Sequence, residues 1–398
     1  MRIAINAVAV RGGGGERYLL NIVKALVGMG SPHEFWVILG RWHGPLVASL
    51  PGKARAIVCD SVPRQSWLRM GWEQAILPVL LRRWDIDLLF AAYNNAVLLS
   101  HTPTVLLVHN ANPYSRLAIP WSIYGRARHV ALRGLGLLSS RVARTVVFVS
   151  HASARVMAPR LGISTSRVRV VHHGWLSFGD STEGESWLRR ELPACYVLAV
   201  SDLQPHKNLE VLLRAFERLV AEGAYPGDLV IVGGRREMSS KYAERLLARC
   251  KESTCAERVH FVGDIPHHML PLVYRGADLF AFPSLEETFG FPLVEAMGEG
   301  IPVIAADWRL APGGEQERLN VGPEICGNAA EFFDPTSSDS LAGAMQRVLM
   351  DHSRRAELAR MGQIRAKEFS WDKAAAALLA IFEEAASPTA SAPRMRPS

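Results

Sequence analysis

The chain alternates between short apolar runs and amphipathic helical patterns along nearly its whole length. Runs such as RIAINAVAV at residues 2–10 and TVLLVHN at 104–110 are rich in β-branched residues, which is typical of strands buried on both faces. Patterns such as ERYLLNIVKALVGMG at 16–30 lie between such runs and predict helices. This alternation predicts an α/β fold in which helices cover both faces of parallel sheets.

A break near the middle divides the pattern in two. Residues 177–186, SFGDSTEGES, are small and polar without periodicity, which predicts a linker. We therefore predict two doubly wound, Rossmann-like parallel-sheet domains that face each other across a cleft, with functional loops at the carboxyl ends of the strands. The predicted ranges are 1–178 for the first domain, 187–368 for the second, 369–386 for a C-terminal helix and 387–398 for a disordered tail.

Positive charge is concentrated in the first half. Residues 1–180 hold 21 Lys and Arg against 7 Asp and Glu, whereas the remainder holds 24 against 31. This asymmetry predicts that the first half faces a polyanion, either nucleic acid or anionic lipid. Two amphipathic stretches, at 64–84 and 124–144, favour an anionic membrane surface, and no nucleic-acid motif accompanies them. Their arginines are Arg64, Arg69, Arg82, Arg83, Arg126, Arg128, Arg133, Arg141 and Arg144.

Cysteine content and hydropathy bear on the compartment. The five cysteines form no CxxC pair, which indicates reduced thiols and argues against zinc. The sequence has no run of about 18 uncharged apolar residues of the kind that spans a membrane. Together with the basic first half, these features predict a cytoplasmic protein bound peripherally at the inner face of the membrane.

The stretch EETFGFPLVEAM at 286–297 carries two glutamates, Glu287 and Glu295, eight positions apart. Pro292 suits the first turn of a helix, and the free N–H groups of that turn form an anion site. Gly290 lets the backbone approach a ligand closely. Two carboxylates that accept hydrogen bonds from sugar and ribose hydroxyls, with phosphates between them, fit a nucleotide sugar. Alternatively, Glu295 only complements the helix dipole from the first turn and Glu287 is solvated. The predicted donor-binding residues here are Gly290, Phe291, Pro292, Leu293 and Glu295.

Three further loops follow predicted strands. Lys207, in LQPHKNLEV, lies just before a helix, where its charge suits a diphosphate, and Asn208 is a candidate N-cap. Gly13 and Gly14, in RGGGGERY, could bring backbone N–H groups to a phosphate or sugar, although the loop lacks the dinucleotide-binding spacing. His109 ends a central strand, where catalytic residues collect, whereas the histidines at 172 and 173 are weaker candidates.

Asp85 and Asp87 resemble the DxD pattern with which another class of sugar transferases holds a divalent metal. They precede the strand LLFAAY, at its amino end, on the far side from the expected site. We therefore interpret them as a polar strand entry and predict no metal site.

Residues from about 196 to 335 closely resemble the donor half of retaining glycosyltransferases of family 4, which have the GT-B fold. The matching motifs are PHKN, VGG, FVGDIP, GADLFAFPSLEETFGFPLVEAMGEGIPVIA and PEICGNAAEFFDP. The first half matches more loosely, through the glycine loop, VHN and WEQ. Many members carry an arginine where this chain has Ser201 and another where it has His206.

The resemblance implies transfer from a nucleotide-diphosphate sugar with retained anomeric configuration and without a metal or other cofactor. It implies that Lys207 contacts the diphosphate, Glu287 the donor sugar and Glu295 the ribose, while His109 lies near the donor sugar. His109 and Glu287 are thus the candidate catalytic residues, and Ser201 joins the donor-binding set. The last helix of such folds usually crosses back to the first domain.

The PxKN form with a serine resembles the branch that builds O-antigens and exopolysaccharides. GDP-mannose is therefore the first donor expected and a UDP-sugar the second, and the acceptor expected is a saccharide, lipid-linked or soluble. A nucleotide-sugar epimerase of the same fold and a non-catalytic sugar-binding protein are the competing interpretations. The basic first half argues against the epimerase, and the presence of Glu287, Glu295 and Lys207 argues against the binding protein.

Overall fold

The computed structural model describes residues 1–11, 13–111, 114, 123–176, 190–234, 240–314 and 318–387. Within these ranges the chain forms two parallel β-sheets, which confirms the predicted α/β class. The predicted linker at 177–186 and nearly all of the predicted tail lie outside the described residues.

The first sheet has seven strands in the order β3-β2-β1-β4-β5-β6-β7, all parallel. The strand order reverses between β1 and β4. The crevice in which such folds bind ligands therefore lies at the carboxyl ends of these two strands. The strands are β1 (Arg2–Asn6), β2 (Glu34–Gly40), β3 (Arg55–Cys59), β4 (Leu88–Ala91), β5 (Thr104–Val108), β6 (Thr145–Phe148) and β7 (Val168–Val170). The helices are α1 (Gly13–Gly28), α2 (Gly44–Ala48), α3 (Ser66–Ala75), α4 (Leu77–Arg83), α5 (Ile123–Val142) and α6 (His151–Arg160).

The second sheet has six parallel strands in the order β10-β9-β8-β11-β12-β13, with its own reversal between β8 and β11. The strands are β8 (Tyr196–Val200), β9 (Asp228–Val232), β10 (Val259–Gly263), β11 (Leu279–Phe282), β12 (Val303–Ala306) and β13 (Ala330–Phe333). The helices are α7 (Leu209–Ala221), α8 (Ser240–Lys251), α9 (Leu270–Arg275), α10 (Phe291–Gly298), α11 (Gly322–Cys326), α12 (Ser338–Met350), α13 (His352–Ala366) and α14 (Trp371–Ala386). Short 3₁₀ turns include Pro205–Lys207.

The last helix, α14, packs against α1 and the strands β4 and β5 of the first sheet, although it follows the second sheet in the chain. Phe382 of α14 contacts Phe90 of β4, with ring centroids 5.1 Å apart. Arg144 donates a hydrogen bond to the carbonyl oxygen of Ala385 at 2.7 Å. Apolar and polar contacts therefore both hold this helix on the first half of the chain.

Asp85 and Asp87 lie at the amino end of β4, as the sequence predicts. The backbone N–H of Arg2 donates to Asp87 Oδ2 at 2.7 Å, and the Arg2 guanidinium lies 3.6 Å from Asp85. The two aspartates are thus engaged with the start of β1, at the opposite end of the sheet from the loops that follow β1 and β5.

Candidate active site

The loop after β11 ends in a left-handed glycine. Gly290 has φ +82°, a conformation that L side chains rarely adopt, and an added Cβ would lie 3.1 Å from Leu293 and 3.3 Å from Phe282. The helix α10 then begins at Phe291, with Pro292 in its first turn. Leu293 is fully buried and its backbone N–H donates to the carbonyl oxygen of Gly290 at 3.0 Å. Its side chain therefore lies in the core behind the site rather than on the cavity wall.

Glu295 lies in the second turn of α10, not in the first turn where the sequence analysis placed it. Its side chain is buried and forms an ion pair with Arg17 of α1, so it links the two halves of the chain. The hydroxyl of Tyr274 donates to Glu295 Oε2 at 2.8 Å, and burial raises the pKa of Tyr274, which keeps this donor protonated. The Arg17 guanidinium also lies over the ring of Phe291 at 5.3 Å.

Glu287 forms an ion pair with Lys207 across the loops that follow β11 and β8. Burial acts to raise the pKa of Glu287, but the positive charge of Lys207 and the neighbouring His206 outweigh it, so this pKa lies below its ordinary value. Asn208 takes the N-cap position of α7 in a left-handed conformation, yet its side chain does not cap the helix. Its amide donates instead to the carbonyl oxygens of Pro283 and Pro335, which fixes the Lys207 loop beside the Glu287 loop.

Two histidines from the first half reach the same cavity. His109 follows β5, and its Nδ1 lies 3.2 Å from Nε2 of His173. Burial lowers the pKa of His109 to about 4 against the opposing charge of Glu287, so the imidazole is neutral at physiological pH. The hydroxyl of Thr288 donates to the His109 carbonyl oxygen at 2.8 Å. His173, a weaker candidate than His109 in the sequence analysis, also lines the cavity and stacks on Phe291 with ring centroids 4.8 Å apart.

His172 points elsewhere, into a group with metal-ligand spacing. Ligand atoms of His151, His172 and Glu324 lie within 4.8 Å of one another. Glu324 accepts the backbone N–H groups of His151 and Ala152, both at 2.7 Å, and lies 2.7 Å from His172 Nε2. Its carboxylate thus already satisfies the start of α6 and ties α11 to the first half of the chain.

The glycine loop opens α1 and faces α10. Gly13 has φ +61°, and an added Cβ on Gly14 would contact the Phe291 ring at 3.9 Å. Ser201 follows β8 at the opposite sheet, and its buried hydroxyl has no hydrogen-bond partner among the described residues. Both loops present polar backbone or side-chain groups to one space between the sheets.

That space is a cavity of about 1170 Å³ at the carboxyl ends of both sheets, large enough for a nucleotide sugar. It brings together every residue that the sequence analysis assigned to the site except Leu293. These residues are Gly13, Gly14, His109, Ser201, Lys207, Glu287, Gly290, Phe291, Pro292 and Glu295.

Sequence reasoning missed several polar residues on the cavity wall. Arg17 lies two residues after the glycine loop, and its charge is the signal that could have identified it. Glu73 belongs to the WEQ motif, which the resemblance used without assigning it a role. Its side chain is buried, and its Oε1 accepts a hydrogen bond from Asn6 at 2.8 Å. Arg69, one helical turn earlier, is also buried and lines the same wall.

Burial raises the pKa of Glu73 from its ordinary 4.5 to about 7, against the opposing effects of Asn6 and Arg69. When folding raises the pKa of a carboxyl group, the protonated group adds to the free energy of unfolding. This contribution is fully present below the unfolded-state pKa and is lost as the pH rises through the folded-state pKa. Between pH 5 and pH 9 we expect the free energy of unfolding of wild type to fall by up to about 3 kcal/mol relative to that of Glu73→Gln. Thermal unfolding of both proteins across this range measures the difference.

The exposed substitution Glu257→Gln is the matched control, and its melting temperature should keep a constant offset from wild type. A Glu73→Gln offset that does not change with pH would show that Glu73 titrates normally.

Two protein-family models match the chain, one in each half. The model Glycosyltransferase Family 4 matches residues 12–175, and the model Glycosyl transferases group 1 matches residues 190–365. Together they cover most of the chain.

Curated relatives match over about half of the chain. O-antigen chain mannosyltransferase B of Escherichia coli is 30% identical over 179 residues, which are 44% of this chain and 42% of that protein. D-inositol 3-phosphate glycosyltransferase of Salinispora tropica is 35% identical over 216 residues, which are 52% of this chain and 42% of that protein. The match therefore spans less than half the length of either relative.

Solved structures match over nearly the whole chain. HepE of Anabaena, in complex with UDP and glucose, has a TM-score of 0.72 at 20% identity and matches over 96% of this chain and 100% of its own. Sucrose-phosphate synthase of Thermosynechococcus elongatus has a TM-score of 0.72 at 22% identity, over 96% of this chain and 98% of its own. With the two parallel sheets, these likenesses show the GT-B fold. The chain therefore belongs to the GT-B glycosyltransferases, with a family 4 domain in its first half and a group 1 domain in its second.

Proposed function

We propose that this protein is a retaining glycosyltransferase that moves a hexose from a nucleotide-diphosphate sugar to a saccharide acceptor. The observation that carries the proposal is the convergence of Lys207, the start of α10 and the glycine loop of α1 on one cavity between the sheets. A lysine and the unpaired N–H groups of a helix start both favour a diphosphate.

The two glutamates are suited to the two ends of such a donor. Glu295 is held by Tyr274 and Arg17, and its carboxylate is a fixed acceptor for ribose hydroxyls. Glu287 remains ionised beside Lys207 and can accept hydrogen bonds from the hydroxyls of the donor sugar. A donor diphosphate that draws Lys207 toward itself would leave Glu287 available for the sugar.

The chemistry needs no protein base. The bond between the anomeric carbon and the phosphate oxygen breaks, the acceptor oxygen bonds to the same face of that carbon, and the acceptor proton passes to the departing phosphate oxygen. His109 is neutral and its pKa of about 4 makes it a weak proton acceptor, so its role is to hydrogen-bond the donor sugar. Positive charge from Lys207 and the helix start replaces a metal ion at the leaving group.

Mannose is the first sugar proposed, with GDP-mannose as donor and a UDP-sugar as the second choice. Relatives named O-antigen mannosyltransferases, from Escherichia coli and Salmonella typhimurium, support mannose and a cell-surface polysaccharide acceptor. The fold-level likeness to a UDP-bound structure supports the second choice.

A panel of nucleotide sugars tests the reaction directly. We expect one donor to transfer its sugar to a saccharide acceptor in the presence of EDTA, with the anomeric configuration retained in the product by NMR. An inverted product would refute retention, and activity that disappears in EDTA and returns with Mg²⁺ or Mn²⁺ would refute metal independence. Release of an altered sugar without any acceptor would favour the epimerase instead.

Donor binding depends on Lys207 under this proposal. We expect Lys207→Ala to weaken binding of the matching nucleoside diphosphate by about ten- to hundredfold, since it removes a charge-assisted hydrogen bond. Isothermal titration calorimetry measures the affinity, and Lys251→Ala, an exposed lysine at the end of α8, is the matched control. Equal affinities of the Lys207 variant and wild type would place the diphosphate elsewhere.

We also propose that the first half binds an anionic membrane surface at the cytoplasmic face, where a lipid-linked acceptor would be held. Helices α3 and α4 expose Trp67 (72%) and Val79 (63%), with Arg82 and Arg83 exposed at the end of α4. Helix α5 exposes Val130 (69%) near its exposed arginines. Apolar groups beside arginine favour the interface of an anionic bilayer.

The structure buries one of the predicted surface arginines and engages a second, exposed one in a backbone hydrogen bond. Arg69 is buried against the cavity, and Arg144 donates to the carbonyl oxygen of Ala385 in α14. Trp72, which lies within the first of the two amphipathic stretches, is buried and donates to the Ser61 hydroxyl at 3.0 Å. Among the described residues, no helix has both the length and the apolar character needed to cross a bilayer.

Liposome flotation measures the membrane contact. We expect binding to vesicles with anionic lipid, loss of binding at high salt, and weaker binding of the variant that combines Trp67→Ser, Arg82→Ser and Arg83→Ser, because each basic residue contributes about 1 kcal/mol near an anionic leaflet. The variant with Arg360→Ser and Lys367→Ser, at exposed positions in the second half, should float like wild type. Equal flotation on neutral vesicles, or none on anionic ones, would leave a soluble acceptor.

A further inference from the structure

One end of the cavity is lined by the β1–α1 loop, α3 and the start of α5, all from the first half of the chain. Three arginines reach it there, one from each element: Arg11, Arg69 and Arg128. Arg11 Nη2 donates to the carbonyl oxygen of Arg64 at 2.7 Å, and Arg69 Nη1 donates to the same oxygen at 3.4 Å. Two guanidinium groups therefore meet at one acceptor.

Arg69 is unusually placed for an arginine. It is only 7% exposed, and its buried Nε has no hydrogen-bond partner within the part of the chain that the structure describes. Burial lowers its pKa, and the charges of Arg11 and Arg128 lower it further against the opposing effect of Glu73. A buried donor without an acceptor is costly, and in a cavity wall it indicates a ligand group that would accept from it.

The charges near Arg69 are unbalanced. The carboxylate of Glu73 acts to raise the pKa of Arg69, but its Oε1 already accepts a hydrogen bond from Asn6. Arg11 and Arg69 bring two guanidinium groups here against the one carboxylate of Glu73, whose pKa of about 7 leaves it partly protonated at neutral pH. A phosphate monoester carries about −1.5 to −2 charges at neutral pH. The planar fork of a guanidinium also matches two phosphate oxygens, a fit that a neutral sugar hydroxyl lacks.

The donor diphosphate has a different anchor under the function proposed above. Lys207, Gly290 and the start of α10 belong to the second half and the glycine loop of α1 to the first, and none of the three arginines is among these donor anchors. We propose that Arg69, together with Arg11 and Arg128, binds a phosphate group carried by the acceptor. The assignment of this phosphate to an acceptor rests on the proposed function. The phosphate site itself rests only on the arrangement of the three arginines.

Two kinds of acceptor share this chemistry: a soluble sugar phosphate and a saccharide linked to a lipid through phosphate. Both present phosphate oxygens to the arginines, and only the second also needs an apolar surface for its tail. The probes are therefore mannose 6-phosphate, with mannose as its neutral partner, and a short-chain polyprenyl diphosphate saccharide in detergent.

The test measures binding of each probe by calorimetry to protein saturated with UDP or GDP, so that the donor subsite is filled. We expect the phosphate-bearing probe to bind wild type, and Arg11→Gln and Arg69→Gln each to weaken it by about ten- to hundredfold. Arg69→Lys keeps the charge but loses the fork and should recover only part of the affinity. Arg360→Gln, on the exposed face of α13, should bind like wild type.

The exposed Arg11 can be replaced without affecting the core, so its variant tests the site even if the Arg69 variants fail to fold. Binding of mannose 6-phosphate that depends on Arg11 or Arg69 supports a phosphate site open to soluble acceptors. Dependence seen with the lipid diphosphate alone supports a lipid-linked acceptor. Unchanged affinity for both probes in every foldable variant would overturn the inference.

The measurements of UDP and GDP binding distinguish a failure of this inference from a failure of the proposed function. If the nucleoside diphosphate displaces the probe and its own affinity falls in Arg11→Gln and Arg69→Gln, the cluster belongs to the donor site and the inference is wrong. If wild type binds neither UDP nor GDP, the proposed donor site fails, yet probe binding without nucleotide still reports on the arginines.

Discussion

The ion pair between Arg17 and Glu295 is the contact on which the shape of the site depends. It joins α1 of the first sheet to α10 of the second, and both side chains are largely buried. A buried pair offsets its desolvation only when other groups satisfy it, and here the Tyr274 hydroxyl and the Phe291 ring do so. The pair thereby brings the glycine loop against α10 and defines one wall of the cavity.

The sequence was sufficient for the α/β class because central parallel strands are buried on both faces and appear as continuous apolar runs. Strands β3 and β13 lie at the edges of their sheets, where half-exposed residues interrupt such runs and weaken the signal. The sequence also identified candidate site residues that can be recognised from the motif of a single loop, such as Lys207 and Glu287. It could not show that Arg17 meets Glu295, because those residues are 278 positions apart and only the packing of the two sheets brings them together.

Local geometry explains the remaining differences. Consecutive residues of an extended segment point to opposite sides, so His172 reaches Glu324 while His173 reaches the cavity. Their identical chemistry gave the sequence analysis no means to separate them. Asn208 looked like a cap because asparagine commonly is one, but its left-handed backbone turns the amide toward two proline carbonyls. Arg69 looked like a surface arginine because only the fold buries its side of α3.

The cavity divides its cations between the two halves of the chain, and this division has a physical consequence for the proposed reaction. A donor diphosphate and an acceptor phosphate repel each other, so neither can be bound close to the other unless each has its own counter-charge. Lys207 and the start of α10 belong to the second half, and Arg11 and Arg69 belong to the first. Each substrate would thus be neutralised by cations of its own half, and the Arg17–Glu295 pair that joins the halves would hold two already neutralised anions in one cavity. The low pKa of His109 fits the same arrangement, since a more basic imidazole would compete with the departing phosphate oxygen for the acceptor proton.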